Sequence, residues 1–187
     1  MIEVEVKARA KPDTLEKIKA LGAVFLTIEN HCDLYFTSPL RDFWETDEAL
    51  RIRIKETGAW LTYKGPKLDA VTKSRKEVAV KIEDPKTMEQ LLLSLGFMPY
   101  AEVKKKRNKY ALNNIIFALD EVEGLGTYLE VEAFAEEDWT ILREKVLGIL
   151  NRLGMEAIRE SYLELLEEQS RKQNDAQFSR FSYHHYE

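Results

Sequence analysis

Apolar and charged residues alternate along several short segments of the chain, and the first such segment begins at its second residue. In residues 2–7, which read IEVEVK, the apolar side chains occupy the even positions and Glu3, Glu5 and Lys7 occupy the odd ones. Successive side chains of a β-strand point to opposite faces. The segment therefore predicts a strand with one apolar face and one ionic face.

The same alternation recurs further along the chain. The segments that show it are residues 49–54, 60–65, 75–82, 114–120 and 128–132. A weak internal repeat supports this interpretation, because aligning the first two strand-and-helix units on their Leu-Gly pairs sets Glu77 and Lys81 where Glu3 and Lys7 stand. We therefore expect charged residues at equivalent positions of related strands.

Three other segments have apolar residues at helical spacing and end in a Leu-Gly pair. They cover residues 13–22, 84–96 and 138–154. Asp13 is the predicted cap of the first segment, with Glu16 at the capping-box position. Asp84 and Asp138 begin the other two, and Pro85 takes the first helical position of the second. These segments predict three amphipathic helices.

The C-terminal part of the chain changes character after a fourth predicted helix. Ser161 followed by Glu164 has the spacing of a capping box. Residues 169–187 are polar and lose the periodicity of a helix. We expect one domain over residues 1–168 and a tail over residues 169–187 that is disordered, with docking on the body or on a partner chain as the alternative.

The amphipathic helices must bury their apolar stripes, and the apolar faces of the strands are the available partner. The ionic faces of the strands then lie together on the far side of the sheet. An open sheet would leave them as solvated charges, whereas a closed sheet would gather acids and bases in a wet interior that needs a highly charged ligand. The pattern predicts an α+β fold and leaves the open and closed sheets as alternatives.

Composition narrows the class of protein. The 187 residues, 44% of them hydrophobic, suffice for one domain with a sizeable core. The single cysteine, Cys32, excludes an intrachain disulfide framework and fits a reducing compartment. Charged residues follow Met1 and no stretch approaches the ~20 apolar residues of a membrane span, so a cytoplasmic protein is expected. The net charge of −5 argues against wholesale nucleic-acid binding.

The residues on the predicted ionic faces indicate the ligand. The bases are Lys7, Arg51, Arg53, Lys64, Arg75, Lys81, Lys105 and Arg107, and the acids are Glu3, Glu5, Asp120, Glu130 and Glu132. Arg and Lys suit phosphate oxygens. Clustered carboxylates repel one another unless a hard divalent cation such as Mg²⁺ or Mn²⁺ lies among them. A single phosphate would not need so many bases, so we predict a triphosphate with a metal ion.

Other charged segments have simpler interpretations. In the basic run at residues 104–109, only Lys105 and Arg107 share a strand face with Val103, so only these two are assigned to the site. The His31-Cys32-Asp33 segment has metal-ligand residue types but no nearby second cysteine, and it is interpreted as structural. The connections at residues 38–44 and 66–72 are either lips of a tunnel mouth or inert loops.

The ordered motifs of the chain resemble the CYTH family, the triphosphate tunnel metalloenzymes that include class IV adenylyl cyclases and thiamine triphosphatases. The motifs are Glu3-x-Glu5-x-Lys7, Leu50-Arg51-Ile52-Arg53, Thr62-x-Lys64-Gly65, Lys105-x-Arg107, Asp120-x-Val122 and Gly124-Leu125-Gly126-x-x-x-Glu130-x-Glu132. Each motif alone is weak, but the ordered set over residues 1–168 is specific. The resemblance implies a closed antiparallel tunnel of about eight strands with helices outside and a metal-bound triphosphate inside.

The resemblance also implies roles for particular residues. The implied metal ligands are Glu3, Glu5, Glu130 and Glu132, with Asp120 as an additional acid. The implied triphosphate ligands are Lys7, Arg51, Arg53, Lys64, Lys105 and Arg107, followed by Arg75 and Lys81. Lys7, Arg53 and Asp120 are the expected catalytic residues, with Mg²⁺ or Mn²⁺ as the cofactor.

Three activities follow from the resemblance. The run from Gly124 to Glu130 and the segment 161–164 look most like the class IV cyclases, which convert ATP to cyclic AMP and pyrophosphate. Some cyclases of the family carry residues ahead of the first acidic strand, where this chain has only Met1 and Ile2, and this departure keeps inorganic tripolyphosphatase or thiamine triphosphatase as the alternative. A non-catalytic nucleotide or polyphosphate binder is the third candidate. The expected partners are a triphosphate substrate, no membrane, no nucleic acid and, if the chain self-associates, a second copy in a homodimer.

Overall fold

Eight antiparallel strands close into a barrel in the described part of the chain. The structure is a computed structural model that describes the backbone of residues 1–182 and the side chains of residues 1–172. The strands are β1 (Ile2–Arg9), β2 (Val24–Thr37), β3 (Ala49–Lys55), β4 (Gly58–Lys67), β5 (Arg75–Ile82), β6 (Met98–Leu112), β7 (Ile115–Val122) and β8 (Gly126–Ala135). Their order around the barrel is β1-β5-β4-β3-β2-β6-β7-β8. The predicted closed tunnel is confirmed, and the open sheet is wrong.

Four helices lie outside the barrel among the described residues. They are α1 (Thr14–Ala20), α2 (Pro85–Ser94), α3 (Thr140–Arg152) and α4 (Tyr162–Ser182). None of these helices is both long and apolar enough to span a membrane. Helix α4 continues past the boundary that the sequence predicts at residue 168, and the part of the predicted tail at residues 183–187 lies outside the described residues.

The two sides of β1 are paired to different extents. β1 pairs with β8 along its whole length, from Ile2 opposite Ala135 to Arg9 opposite Tyr128. With β5 it shares only two residue pairs, Ile2 with Lys76 and Glu3 with Arg75. Beyond them the connection between β4 and β5 takes over, since the Lys73 amide donates to the Glu5 carbonyl at 2.9 Å. This short seam brings a loop residue to the edge of the tunnel.

The apolar strand faces and the helices form the core on the outside of the barrel. Val4, Val131 and Leu150 belong to one buried cluster, in which α3 and α1 cover β1 and β8. A second cluster packs Leu92 of α2 against Ile52 and its neighbours on β2 to β4. Because the core lies outside, the interior of the barrel is left to the ionic faces.

Capping hydrogen bonds are present at α2, and at α4 they confirm the predicted capping box. At α3 Asp138 lies one residue before the N-cap, Trp139, whose side chain makes no capping hydrogen bond. The Asp84 carboxylate accepts a hydrogen bond from the Lys86 amide at 2.9 Å, and Asp138 accepts one from the Thr140 amide at 3.0 Å. In α4 the Glu164 carboxylate accepts from the Ser161 amide at 2.6 Å, while the Ser161 hydroxyl accepts from the Glu164 amide at 3.2 Å.

The predicted cap at the first helix is wrong. The Asp13 side chain makes no capping hydrogen bond and instead pairs with Lys17 at 2.9 Å. The Thr14 hydroxyl accepts from the Lys11 amide at 2.7 Å, but this amide precedes the helix and the bond does not cap its first turn. The carboxylate prefers the nearby ammonium because it lies on the exposed side of the helix.

Candidate functional site

The ionic strand faces enclose a cavity of about 410 Å³ inside the barrel. The predicted site residues that line it are Glu3, Glu5, Arg51, Arg53, Lys64, Arg75, Lys105, Arg107, Glu130 and Glu132. Buried charges are tolerated only when they are paired or bind a ligand. The pairing of these residues therefore shows how the cavity is stabilised and where a ligand fits.

Arg107 is the centre of the pairing on β6, β7 and β8. Its guanidinium donates to both oxygens of Asp120, at 2.7 and 2.6 Å, and also contacts the carboxylates of Glu130 and Glu132. Lys105 lies 2.7 Å from the same Asp120. Burial alone would raise the pKa of Asp120, but the two bases hold it below its ordinary value. Asp120 lies behind the lining of the cavity and orients Arg107 and Lys105.

Asp33 has the same role on the neighbouring wall, where β2 pairs directly with β6. Its two oxygens accept hydrogen bonds from Arg53 Nε and Nη2 at 2.6 Å each, and Arg51 Nη1 lies 3.1 Å away. Burial would raise the pKa of Asp33, but Arg53 and Arg51 hold it far below its ordinary value. Asp33 therefore fixes both guanidiniums on the wall of the cavity, and the structural interpretation of its segment missed this contact with the site.

Glu5 and Glu130 form an acidic pair that shares one cation. The Lys73 ammonium contacts Glu5 and lies 3.2 Å from Glu130 Oε1. Burial and the neighbouring Glu130 raise the pKa of Glu5 to about 7. Two carboxylates this close repel one another, and the ammonium relieves part of that repulsion.

The acidic pair fits a hard divalent cation. In the described residues, no group of three or more His, Cys, Asp or Glu side chains is arranged to hold a metal ion. The carboxylates that line the cavity instead pair with bases. Glu3, for example, contacts Lys64. The carboxylate oxygens of Glu5 and Glu130 are nevertheless the donors that Mg²⁺ and Mn²⁺ prefer, and they already surround a positive charge.

Lys7 is fully buried at one end of the tunnel. Its Nζ has no hydrogen-bond partner among the described residues and lies 4.2 Å from the centroid of the Tyr162 ring. Burial, followed by the repulsion of Lys73, lowers the pKa of Lys7 to about 7. The Tyr162 hydroxyl donates to Asp120 at 2.9 Å. The beginning of α4 thus covers Lys7 and joins the charged network.

Three segments meet at the mouth of the cavity. Lys67 at the end of β4 lies 2.7 Å from Asp47 in the β2–β3 connection and 3.1 Å from Glu164 of α4. Phe43 and Trp44 of the same connection line the cavity. The connections at residues 38–44 and 66–72 therefore both reach the tunnel mouth.

Three predicted residues do not line the cavity. Lys7 is buried at its end beside Tyr162, and Asp120 lies behind Arg107 and Lys105. Lys81 is exposed, with its Nζ 5.9 Å from the centroid of the Trp60 ring. Lys81 therefore lies apart from the other bases.

Sequence reasoning missed several residues of the site. They are Asp33, Tyr35, Lys67, Lys73 and Tyr162. The odd-numbered positions of β2 carried a signal for Asp33 and Tyr35, since alternation places them on one face. Lys73 lies in a connection without periodicity, and no pattern indicated that its side chain enters the tunnel.

Comparison with known sequences gives a consistent picture. The CYTH domain family profile matches residues 1–162. A Methanocaldococcus jannaschii protein named "Putative adenylate cyclase" is 42% identical over 172 residues, which cover 88% of this chain and 98% of that protein.

Solved structures share the same barrel. The PH1819 protein of Pyrococcus horikoshii OT3 is 44% identical and superposes with a TM-score of 0.83, covering 89% of this chain and 99% of that one. A Hippeastrum protein, titled a "putative adenylyl cyclase" with a dominant triphosphatase activity, is 19% identical with a TM-score of 0.64 over 90% of this chain and 95% of that one. The second likeness is one of fold alone.

Proposed function

The chain belongs to the CYTH domain family, and on that premise we propose that it is a divalent-metal-dependent adenylyl cyclase that binds the triphosphate of ATP in its tunnel. The observation that carries the proposal is the convergence of the cavity bases on the acidic pair Glu5 and Glu130. An anion site alone has no use for carboxylates that line its cavity, such as Glu5 and Glu130, because they repel phosphate. Carboxylates together with bases suit a metal-bound polyphosphate.

The bases of the cavity are placed to hold a triphosphate along the tunnel. Asp33 fixes Arg51 and Arg53 on β3, and Asp120 fixes Lys105 and Arg107 on β6, with only β2 between these two strands. Guanidiniums held in fixed orientations bind phosphate oxygens without losing much side-chain entropy. Positioning and charge neutralisation account for most of the catalysis of phosphoryl and nucleotidyl transfer.

Glu5 and Glu130 are the proposed metal ligands, with Glu3 and Glu132 beside them on the same strand faces. A bound Mg²⁺ or Mn²⁺ supplies charge neutralisation at the phosphate oxygens. With a metal ion held by Glu5 and Glu130, the Lys73 ammonium would be available to contact a phosphate oxygen.

In the proposed reaction the ribose 3′-oxygen attacks the α-phosphorus, the bond from that phosphorus to the bridging oxygen breaks, and pyrophosphate leaves. The 3′-hydroxyl proton passes to water, because Lys7 is buried outside the lining of the cavity. Arg53 and the Asp120-held Arg107 neutralise the charge that develops on the phosphates.

Hydrolysis of a triphosphate is the second candidate. The tunnel bases and the acidic pair make no use of a nucleoside, so the same cavity suits inorganic tripolyphosphate or thiamine triphosphate, with water as the nucleophile at the terminal phosphorus. A non-catalytic binder is the third candidate, and the buried acids argue against it.

Product analysis separates these candidates. The purified protein is incubated with ATP and, separately, with tripolyphosphate, each with Mg²⁺ or Mn²⁺, and the products are resolved by anion-exchange chromatography. Cyclic AMP with pyrophosphate is the expected result. Orthophosphate from tripolyphosphate, with ATP left intact, would replace the cyclase proposal by the phosphatase, and no turnover of either compound would favour the binder.

A further inference from the structure

A second cavity, of about 320 Å³, opens directly beside the triphosphate cavity. Tyr35, Phe43, Trp44 and Leu163 line both cavities, and Tyr100 and Glu167 are among the residues that line the second one alone. We call the second cavity the aromatic pocket, and its lining also includes the charged residues Asp42, Glu48 and Arg171. Because the two cavities share a wall, a molecule held in the tunnel by its phosphates can extend into the aromatic pocket.

The walls of the aromatic pocket suit a flat ring. It lies between the β2–β3 connection, the beginning of β6 and α4. Phe43 and Trp44 come from the connection, Tyr100 from β6 and Tyr35 from β2. Trp44 and Tyr100 are 48% and 45% exposed, so their rings are available to a ligand. Ligand pockets are typically concave, apolar and aromatic, with few polar groups that fix orientation.

Glu167 supplies a polar group of this kind. Its Oε2 atom is buried and has no hydrogen-bond partner among the described side chains. The nearest base is Arg171, whose Nη2 lies 3.7 Å from Oε2, beyond hydrogen-bond distance, and whose guanidinium carbon lies 5.9 Å from the centroid of the Trp44 ring. A buried carboxylate oxygen that lacks a donor favours a ligand that brings one.

We propose that the aromatic pocket binds the organic group of the substrate, an amino-substituted heteroaromatic ring that stacks on Trp44 and donates a hydrogen bond to Glu167. The inference rests on the proposed triphosphate function of the adjoining cavity. Adenine and the aminopyrimidine of thiamine share this chemistry. The aromatic pocket therefore selects an organic triphosphate over the inorganic one, whichever reaction follows.

Tryptophan fluorescence tests the proposal without relying on turnover. ATP, ITP, thiamine triphosphate and tripolyphosphate are each mixed with the protein and Mg²⁺ in a stopped-flow instrument, and dissociation constants are taken from the first phase, before products form. ITP differs from ATP in carrying an oxygen where adenine has its amino group. Trp44→Ala is compared with Trp44→Phe, which keeps an aromatic face. Binding to both variants is measured by competition with a fluorescent ATP analogue, because the remaining tryptophans, Trp60 and Trp139, line neither cavity.

The expected result is that Trp44→Ala weakens ATP binding about tenfold and leaves tripolyphosphate binding within about twofold, because only the stacked ring is lost. Trp44→Phe should restore most of the affinity for ATP. Glu167→Gln should reduce the preference of the protein for ATP over ITP, because an amide accepts from one ring and donates to the other. If thiamine triphosphate binding shows the same dependence on Trp44 and Glu167, the aromatic pocket is supported and its ligand is the aminopyrimidine of thiamine.

Two results would overturn the inference. Equal weakening of ATP and tripolyphosphate by Trp44→Ala would show a general loss of structure, and unchanged ATP binding would show that the ring lies elsewhere. In both cases tripolyphosphate still binds the wild-type protein, so the proposed function of the tunnel stands. If the wild-type protein binds none of the four compounds, the proposed function itself fails together with the inference.

Discussion

The two sides of β1 solve the same electrostatic problem in different ways. Towards β8, eight residue pairs fix the register, and Arg107 holds the acids of β7 and β8 within a continuous sheet. Towards β5 there are only two residue pairs, and Lys73 reaches the acids from a loop. The comparison indicates that the Arg107 guanidinium, fixed by sheet register, is part of the structure. The Lys73 ammonium, carried by a loop, can be displaced from the acids by a metal ion.

The largest effect on stability is expected on the β8 side of β1, where the strands pair along their whole length. Arg107→Ala leaves Asp120, Glu130 and Glu132 buried without their main partner, and breaking a buried ion pair costs about 3–5 kcal/mol. Urea unfolding monitored by circular dichroism measures this loss. Lys106→Ala, an exposed neighbour on the outer face, is the control and should change the free energy of unfolding by less than about 0.5 kcal/mol. A loss in Arg107→Ala no larger than that of the control would contradict the structural role.

Glu5→Gln should affect activity far more than stability. The substitution keeps the volume of the side chain and removes its repulsion with Glu130, so the free energy of unfolding should not fall. Loss of one metal ligand should lower kcat about 10²-fold or more, as for other preorganised electrostatic groups. Initial rates with Mn²⁺ test this, with the exposed Glu123→Gln as the control. An unchanged rate would remove Glu5 from the metal site.

At the short seam between β1 and β5, a substitution is expected to strengthen metal binding. Lys73→Met removes the ammonium that competes with the metal for Glu5 and Glu130, so Mn²⁺ in the absence of substrate should bind roughly tenfold more tightly. The exposed Lys76→Met is the matched control on β5. Mn²⁺ titration followed by electron paramagnetic resonance measures both affinities. Weaker Mn²⁺ binding in Lys73→Met would show that Lys73 supports the metal instead of competing with it.

The smallest effect on stability is expected at Asp69, in the connection between β4 and β5 that also carries Lys73. Burial would raise the pKa of Asp69, but hydrogen bonds from Thr72 and Val71 and a 3.0 Å contact with Arg143 of α3 lower it to about 2. Because the pKa is lower in the folded state, the stabilisation is complete above the ordinary value near 4 and is lost as the pH falls towards 2.

Asp69→Asn should abolish this pH dependence. The wild-type protein should lose on the order of 1 kcal/mol more than the variant between about pH 4 and pH 2. Thermal unfolding across this range measures the difference. Parallel stability curves for the two proteins would mean that Asp69 has the same pKa in the folded and unfolded states.

The alternation of side chains identified the strands and their ionic faces because the period of a strand is the same whether a face meets water or a tunnel. Closure could not be read from alternation. It depends on the long-range pairing of β1 with β8, and the resemblance to a family supplied it. Most of the acids and bases predicted on the ionic strand faces line one cavity, because closure of the barrel turns these faces inward. Lys81 does not line it, because it lies on an exposed part of β5.

The residues that escaped prediction lie where local pattern carries no information about distant contacts. Asp33 is typical of an ordinary polar strand position until β3 places Arg51 and Arg53 beside it. Tyr162 reads as the first residue of a capped helix, and only the packing of α4 on the barrel end brings it to Lys7 and Asp120. Lys73 lies in a loop, where neither helix nor strand period applies.

The central claim, that Glu5 and Glu130 bind a metal together with a triphosphate, is tested most directly by calorimetric titration of tripolyphosphate in the presence of Mn²⁺ or of a chelator. The account predicts tight binding with Mn²⁺, much weaker binding with the chelator, and little response to the metal in Glu5→Gln. Tight binding that is unaffected both by the chelator and by Glu5→Gln would contradict the account and leave the tunnel as an anion site that works without metal.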